Sequence, residues 1–452
     1  METLSYFLLT HGPQPMLTTL IIPLLSTRLL ILLYLHRNKQ SGSEKKRPPG
    51  PLALPIIDNH HQLGSLPHCS LAHLTKIYGP LMHLKLGQVP TLVVSSPKMA
   101  ELLMKTYDHA FCSRPILVAT NYLTYNGTYV AFAPYGSYWR HVRKICILEL
   151  LSSKRVQSFG IVRKEEVRRL VDSIFLSSKA KALVNLRDVF LSLTNNVLCR
   201  VAFGKSYWEE EPELREIMKT SQKLTGLQRR LEKHLSQRDS FLEKVFAEHL
   251  LATHGKEEEE KDLVDVLLQL QKEGTPDFTL STDNIKSVVM DMFVAGTATT
   301  ATALVWGMSE LMKNQLALKK AQDELHYLKA VVKEILRLHP PGPLLVPREL
   351  IEDCNIEGYH IPVKTRVLVN AWAIGRHPYS WIDPEDFRPE RAKGMPALAI
   401  VELALANVLL CFNWAMPDGK YPEDLDTNEA SGLAVHKETS LPLVATPQTT
   451  SQ

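Results

Sequence analysis

The sequence predicts a mainly α-helical fold with a small β part, preceded by an N-terminal transmembrane helix. Three observations carry that reading. Asp283 to Met312 is apolar almost all round, which suits a helix buried along most of its length. Pro80 to Gly87 alternates apolar and polar residues, and Thr91 to Val94 is rich in β-branched residues, so both read as short strands. Met16 to Leu35 is mostly apolar and long enough to cross a bilayer as a helix.

Composition narrows the function. The chain has 452 residues, 45% hydrophobic and 22% charged, an ordinary globular balance that one large helical domain satisfies. A net charge of +4, with no basic run interleaved with aromatics, gives no footprint for nucleic acid. The six cysteines (Cys69, Cys112, Cys146, Cys199, Cys354, Cys411) are scattered and form no CxxC. That pattern argues against a disulfide scaffold and suits a reducing compartment. The sequon Asn126-Gly127-Thr128 then reads as a chance match.

At the N-terminus, residues 1–35 are expected to hold the anchor, although Pro23 would kink it and Arg28 is costly near its centre. The competing readings are a cleaved signal peptide and a buried core helix. The late start of the apolar run and the lack of a small-residue cleavage site disfavour the first. His36, Arg37, Lys39, Lys45, Lys46 and Arg47 follow the span, while only Glu2 is charged before it. The positive-inside rule therefore puts the body in the cytosol. Residues 36–51 form a basic hinge ending in the stiff elbow Pro48-Pro49-Gly50-Pro51.

The body is expected over 52–425. Glu165 to Phe175 and Leu235 to Leu251 have helical apolar spacing, and Lys256 to Lys261 is a solvated charge run. Within the long helix, Ala295-Gly296-Thr297-Ala298-Thr299-Thr300 is a stretch that helix propensity does not favour. It reads either as small-residue helix packing or as a local opening where a ligand approaches the backbone. Ile361 to Asn370 reads as a strand and Ala397 to Phe412 as another buried helix. The segment after Gly419 reads as polar and loop-like, with one apolar piece near Leu441, and 426–452 as the C-terminal tail.

Four signatures follow one another. Trp139 and Arg143 lie four apart on one helical face; the Ala295–Thr300 cluster comes next. Then come Glu334-Ile335-Leu336-Arg337, with an i,i+3 acid–base pair and Val346-Pro347-Arg348-Glu349 beyond it, and Phe387-Arg388-Pro389-Glu390-Arg391. In this order, from about residue 48 to 420, the chain resembles plant microsomal cytochromes P-450, the haem-thiolate monooxygenases. The resemblance implies haem b as cofactor, with Trp139, Arg143, Ala295, Gly296 and Arg348 against it. It implies a proton-relay role for Thr299 beside Thr300, although Ala298 replaces the usual acid. It also implies a structural network of Glu334, Arg337 and Arg391.

One part of the pattern is missing. The family's iron-ligating cysteine loop should follow the Pro-Glu-Arg motif, yet Arg391 runs directly into Ala392-Lys393-Gly394. Ala392 occupies the ligand position and cannot bind iron. Cys411 is the nearest cysteine, and His339 and His377 are chemically able to ligate, but none has the motif around it. Further omissions against the family stand at the join of Leu325 and His326 and around Thr220 to Lys233. The family chemistry is insertion of one oxygen atom into a small apolar plant metabolite (phenylpropanoid or flavonoid, terpenoid, alkaloid). Electrons would come from NADPH through a membrane reductase, with the protein single-pass in the endoplasmic reticulum. The alternative is a truncated, membrane-anchored, non-catalytic product that binds haem weakly or not at all.

Overall fold

The computed structural model describes residues 46–117, 120, 124–207, 228–252, 260–274, 278–391, 398–432 and 434–448, together with Arg28. The expected anchor, apart from Arg28, lies outside the described residues. So do most of the Lys256–Lys261 run, Ala392, and residues 220–227 of one shortened region.

Helix α1 (Pro67–Tyr78) precedes the hairpin of β1 (Leu81–Leu86) and β2 (Val89–Val94), paired with Leu81 opposite Val94. Next come α2 (Ser137–Ile145), α3 (Gly160–Lys179), the short β3 (Val184–Asn185) and α4 (Leu186–Phe203). Helices α5 (Gln228–Ala252) and α6 (Leu263–Glu273) lead into α7 (Thr282–Lys313). Ser281 caps α7 in a reciprocal capping box with Asn284, so two otherwise orphaned N–H groups are satisfied.

The uniform apolarity of α7 now has a cause. Its first half, Ile285 to Phe293, packs with Val142 of α2, Phe203 of α4 and Phe241 of α5. Its second half, Ala301 to Met312, packs in a different cluster with Phe190 of α4. That cluster also includes α9 (Tyr327–Leu338) and α11 (Ala399–Cys411), which follow α8 (Gln315–Asp323) and α10 (Ala371–Gly375) respectively in the chain. α7 is thus the spine shared by two cores. It is long and apolar enough to cross a membrane, but 67% of its most apolar window is buried inside the protein.

Strand β7 (Arg366–Val369) runs parallel to β2, and β4 (Arg348–Glu349) pairs with β7, giving the order β1-β2-β7-β4. The expected single strand from Ile361 to Asn370 is broken. Strands β5 (Cys354–Ile356) and β6 (Tyr359–Ile361) form their own hairpin, and β7 belongs to the larger sheet. The cause lies between them: Pro362 offers no backbone donor, and Lys364 turns the chain with φ of +65°.

The segment after Gly419 is not the loop-like tail expected. It holds β9 (Glu429–Ala430), β10 (His436–Lys437) and β11 (Pro442–Pro447). β11 lies between β3 and β8 (Phe412–Ala415), and Leu441, Leu443 and Ala445 join the main core.

Candidate functional site

The glycine–threonine step on α7 has two faces. Ala295 is exposed and Thr299 half-buried on one; Asp291 lies one turn before Ala295 on that same face. The Thr299 hydroxyl donates back to the Ala295 carbonyl, and Thr297 Oγ1 donates to the Phe293 carbonyl at 2.9 Å. Such back-bonding bends a helix and draws carbonyls away from the ladder. Gly296 faces elsewhere: a Cβ there would lie 2.9 Å from Leu198 Cδ1 of α4. Its smallness lets Leu198 of α4 approach α7 at this point. Ala298 is buried beside a cavity of about 40 Å³ whose lining includes Arg187, Thr302, His436 and Lys437. Thr300 is half-buried at the following position.

The structure brings Glu334, Arg337 and Arg391 together. Arg337 donates Nη2 to Glu334 Oε1 at 2.8 Å and Nε to Oε2 at 2.9 Å, a two-pronged pair fully removed from water. Arg337 also donates to the carbonyls of Gly375 and Pro384, both at 2.7 Å, and of Asp386 at 3.0 Å. Glu334 Oε1 further accepts from the Arg388 N–H at 2.9 Å and from Arg391 Nε at 3.1 Å. The helix α9 supplies the first pair, and the short 3-10 turn Pro389–Arg391 supplies the third charge.

A second group of cations gathers near β4. Arg348 pairs with Asp108 at 2.8 Å and donates to the Phe111 carbonyl at 3.3 Å. An isolated bridge between Ser113 and Glu349 brings Arg114 beside it. Burial, then the charges of Arg348 and Arg143, pull the Arg114 guanidinium down to about 10. Arg143 lies over the Trp139 ring at 5.0 Å, and the Trp139 indole N–H donates to the Val130 carbonyl at 3.0 Å. Three arginines near one another, of which Arg348 is paired to Asp108, make an edge suited to an anion. Sequence reasoning missed Arg114, because no spacing links it to Arg348. It also passed over Asp291, the one acid on α7 between Asp283 and Glu310. A lone carboxylate in so apolar a run was the available signal.

The other candidate ligands are engaged elsewhere. His339 stacks on Trp306 at 3.9 Å between centroids and meets Glu310 at 2.7 Å. His377 lies beside Tyr379, with 5.7 Å between ring centroids. Cys411 ends α11, where Gln448 N donates to its carbonyl and Gln322 Nε2 donates to the Leu409 carbonyl. Burial pushes its thiol pKa up, so the neutral form is favoured.

The fold and this arrangement are those of the helical haem monooxygenases. The chain belongs to the cytochrome P450 family, whose model it matches over residues 48–392. It is similar to the soybean (Glycine max) cytochrome P450 71A9, at 44% identity over 93% of this chain and 97% of that one. It is 42% identical to strychnine-11-hydroxylase of Strychnos nux-vomica, over 92% of this chain and 95% of that one. A zebra fish cytochrome P450 structure with abiraterone superposes with a TM-score of 0.72, at 28% identity, over 85% of this chain and 100% of that chain. The non-catalytic alternative finds no support among these relatives. The alignment to the soybean protein runs over 490 positions, more than the 452 residues here, so that protein carries residues without counterparts in this chain.

The family's cofactor is haem, fed with electrons from NADPH by a reductase and acting on small molecules. The basic edge fits its acidic propionates: Arg114, Arg143 and Arg348 are the donors that would hold them, with the Trp139 ring beneath Arg143. The single N–H of Trp139, expected against the haem, is taken instead by the Val130 carbonyl. The thiolate side does not fit. No cysteine stands between Arg391 and Leu398, and no described cysteine has the character of a ligand loop.

Proposed function

We propose that this chain serves oxidation of a small apolar plant specialised metabolite, with haem held at the Arg114–Arg143–Arg348 edge. The single observation carrying this reading is the convergence of those arginines with Trp139 at a loop bonded to Asp291 of α7. When bound, haem would supply oxygen activation; the protein orients substrate and excludes water. Thr299 is the residue that would hold the proton near the exposed Ala295 face. Ala298 offers no carboxylate to reload it. Glu334, Arg337 and Arg391 would hold the opposite side of the site together. Relatives named strychnine-11-hydroxylase, premnaspirodiene oxygenase (Hyoscyamus muticus) and costunolide synthase (Cichorium intybus) support the substrate class without choosing a member. Residues 16–35 would anchor the protein in the endoplasmic reticulum with its body in the cytosol.

The test is the spectrum of the expressed full chain, loaded with haem, reduced and exposed to carbon monoxide. A thiolate-bound haem gives a strongly red-shifted Soret band. That band supports monooxygenase chemistry in this chain. Bound haem without it overturns that reading and leaves haem binding alone.

A further inference from the structure

We propose that Asp291 is a positioning residue: it holds the Val130–Ala131 backbone so that Arg114, and Arg143 through the Trp139 ring beneath it, stand correctly toward an acidic ligand. The inference rests on the proposed function only in taking that ligand to be the haem propionates.

The geometry is a knot at two consecutive residues, Val130 and Ala131. Asp291 Oδ2 accepts from the Ala131 N–H at 3.1 Å, and the Val130 N–H also favours the ionised form of this carboxyl. The carbonyls of the same two residues point the other way. Val130 accepts from the Trp139 indole at 3.0 Å, and Ala131 accepts from Arg114 Nε at 3.1 Å. The Ala131 N–H and the Val130 carbonyl share one peptide unit, so moving it moves the indole beneath Arg143, and moving the next unit moves Arg114. The link is short: one residue on the central helix, two neighbouring backbone carbonyls, two side chains of the anion edge.

A purely structural tie between α7 and this loop would need no acid. A hydroxyl or amide could accept one N–H without the cost of burying a charge. A carboxylate accepts both N–H groups at once when ionised, and only weakly when protonated. Burial raises the Asp291 pKa to about 6 against the pull of the two N–H groups. The titratable groups facing it are Tyr129 from the loop, Tyr138 from α2 and Cys146 from the turn beyond α2. Arg238 of α5 stands over the Tyr129 ring at 5.9 Å. Burial pushes Tyr138 and Cys146 up to about 12 and Tyr129 further up, so all three stay neutral near pH 6. Asp291 is thus the group facing this knot that changes charge between pH 5 and 7.

The experiment uses the full chain, haem-free, with tryptophan indoles labelled with ¹⁵N. The sequence has six tryptophans, and Trp139→Phe assigns the signal by its loss. In the wild type the Trp139 indole resonance is expected to titrate with a midpoint of about 6. In Asp291→Asn, which keeps one acceptor oxygen, that titration disappears. Titration with haemin then reads the consequence: affinity falls about tenfold in Asp291→Ala and much less in Asp291→Asn. A pH-insensitive indole in the wild type, or the same titration in Asp291→Asn, overturns the proposal. So does unchanged haemin affinity in a folded Asp291→Ala. If Asp291→Ala does not fold, the Asp291→Asn titration decides alone. If haemin binds to neither protein, the cofactor reading fails, while the indole titration still tests Asp291.

Discussion

The Gly375 carbonyl accepts a hydrogen bond from Arg337 Nη1 at 2.7 Å, while a Cβ on Gly375 would lie 2.5 Å from the Arg337 carbonyl oxygen. The two residues thus meet twice, once by attraction and once by the absence of a side chain. Gly375 ends α10 without a positive φ, so its backbone conformation alone would accept alanine. In an open helix, alanine would gain roughly 1 kcal/mol over glycine. Here Gly375→Ala is expected to destabilise by about 1–3 kcal/mol, because backbone rather than a flexible tip must move. Urea unfolding measures it. A stabilised Gly375→Ala would show that α10 does not press on Arg337.

The network around Glu334 is expected to respond unevenly to substitution. Glu334 is fully buried and accepts from two arginines and a backbone N–H. Glu334→Gln leaves the buried Arg337 charge without its counter-ion, a change worth about 3–5 kcal/mol. Arg391 is less enclosed and also donates to the carbonyls of Ile382, Asp383 and Asp386. Arg391→Lys keeps the charge but loses the planar fork, so a smaller loss is expected. Equal losses, or a larger loss in Arg391→Lys, in side-by-side denaturant curves would contradict this ranking.

Much of the frame was legible because it depends on local pattern. The run around Phe293 and Trp306 has no polar face, and a helix without one must be buried, as α7 is. The alternation from Leu81 to Leu86 likewise matched β1. Spacing alone related Glu334 to Arg337; Arg391 could be added only through the family resemblance, since the two segments meet by tertiary folding. The Arg114–Arg348 proximity and the Asp291–Ala131 bond were hidden for the same reason. Leu441, Leu443 and Ala445 do alternate, but the polar composition around them masked a strand that finds its partners at Val184 and Trp414.

Restoring an acid at position 298 tests which way that side chain faces. Ala298 borders the cavity shared with Arg187, His436 and Lys437. Burial, followed by the charge of Arg187, holds the His436 pKa below its usual value, while the hydrogen bond to the Ala434 carbonyl works against it. A carboxylate entering that cavity favours imidazolium. Ala298→Glu is therefore expected to move the His436 pKa upward, followed by the ring C–H resonances in NMR. An unmoved His436 would place the new carboxylate outside this cavity, on the side of α7 that carries Thr299.

His249 is expected to make stability depend on pH. Its Nδ1 lies 2.7 Å from the Val245 carbonyl, which can only accept, and its Nε2 lies 2.9 Å from Asp262 Oδ2. Donation from both ring nitrogens makes it an imidazolium. Burial opposes that charge, but the hydrogen bond and charge of Asp262 outweigh it, and the folded pKa is raised. Asp262 is itself fixed, because its Oδ1 accepts from the Asp265 N–H at 2.9 Å in the capping box of α6. A raised histidine pKa contributes stability fully present below the unfolded value of about 6.5 and lost as pH rises through the folded value. The stability difference between wild type and His249→Gln should therefore be largest at acidic pH and shrink on the alkaline side. Unfolding free energies across that range measure it. A difference that is flat or grows with pH would mean that His249 is neutral in the folded protein.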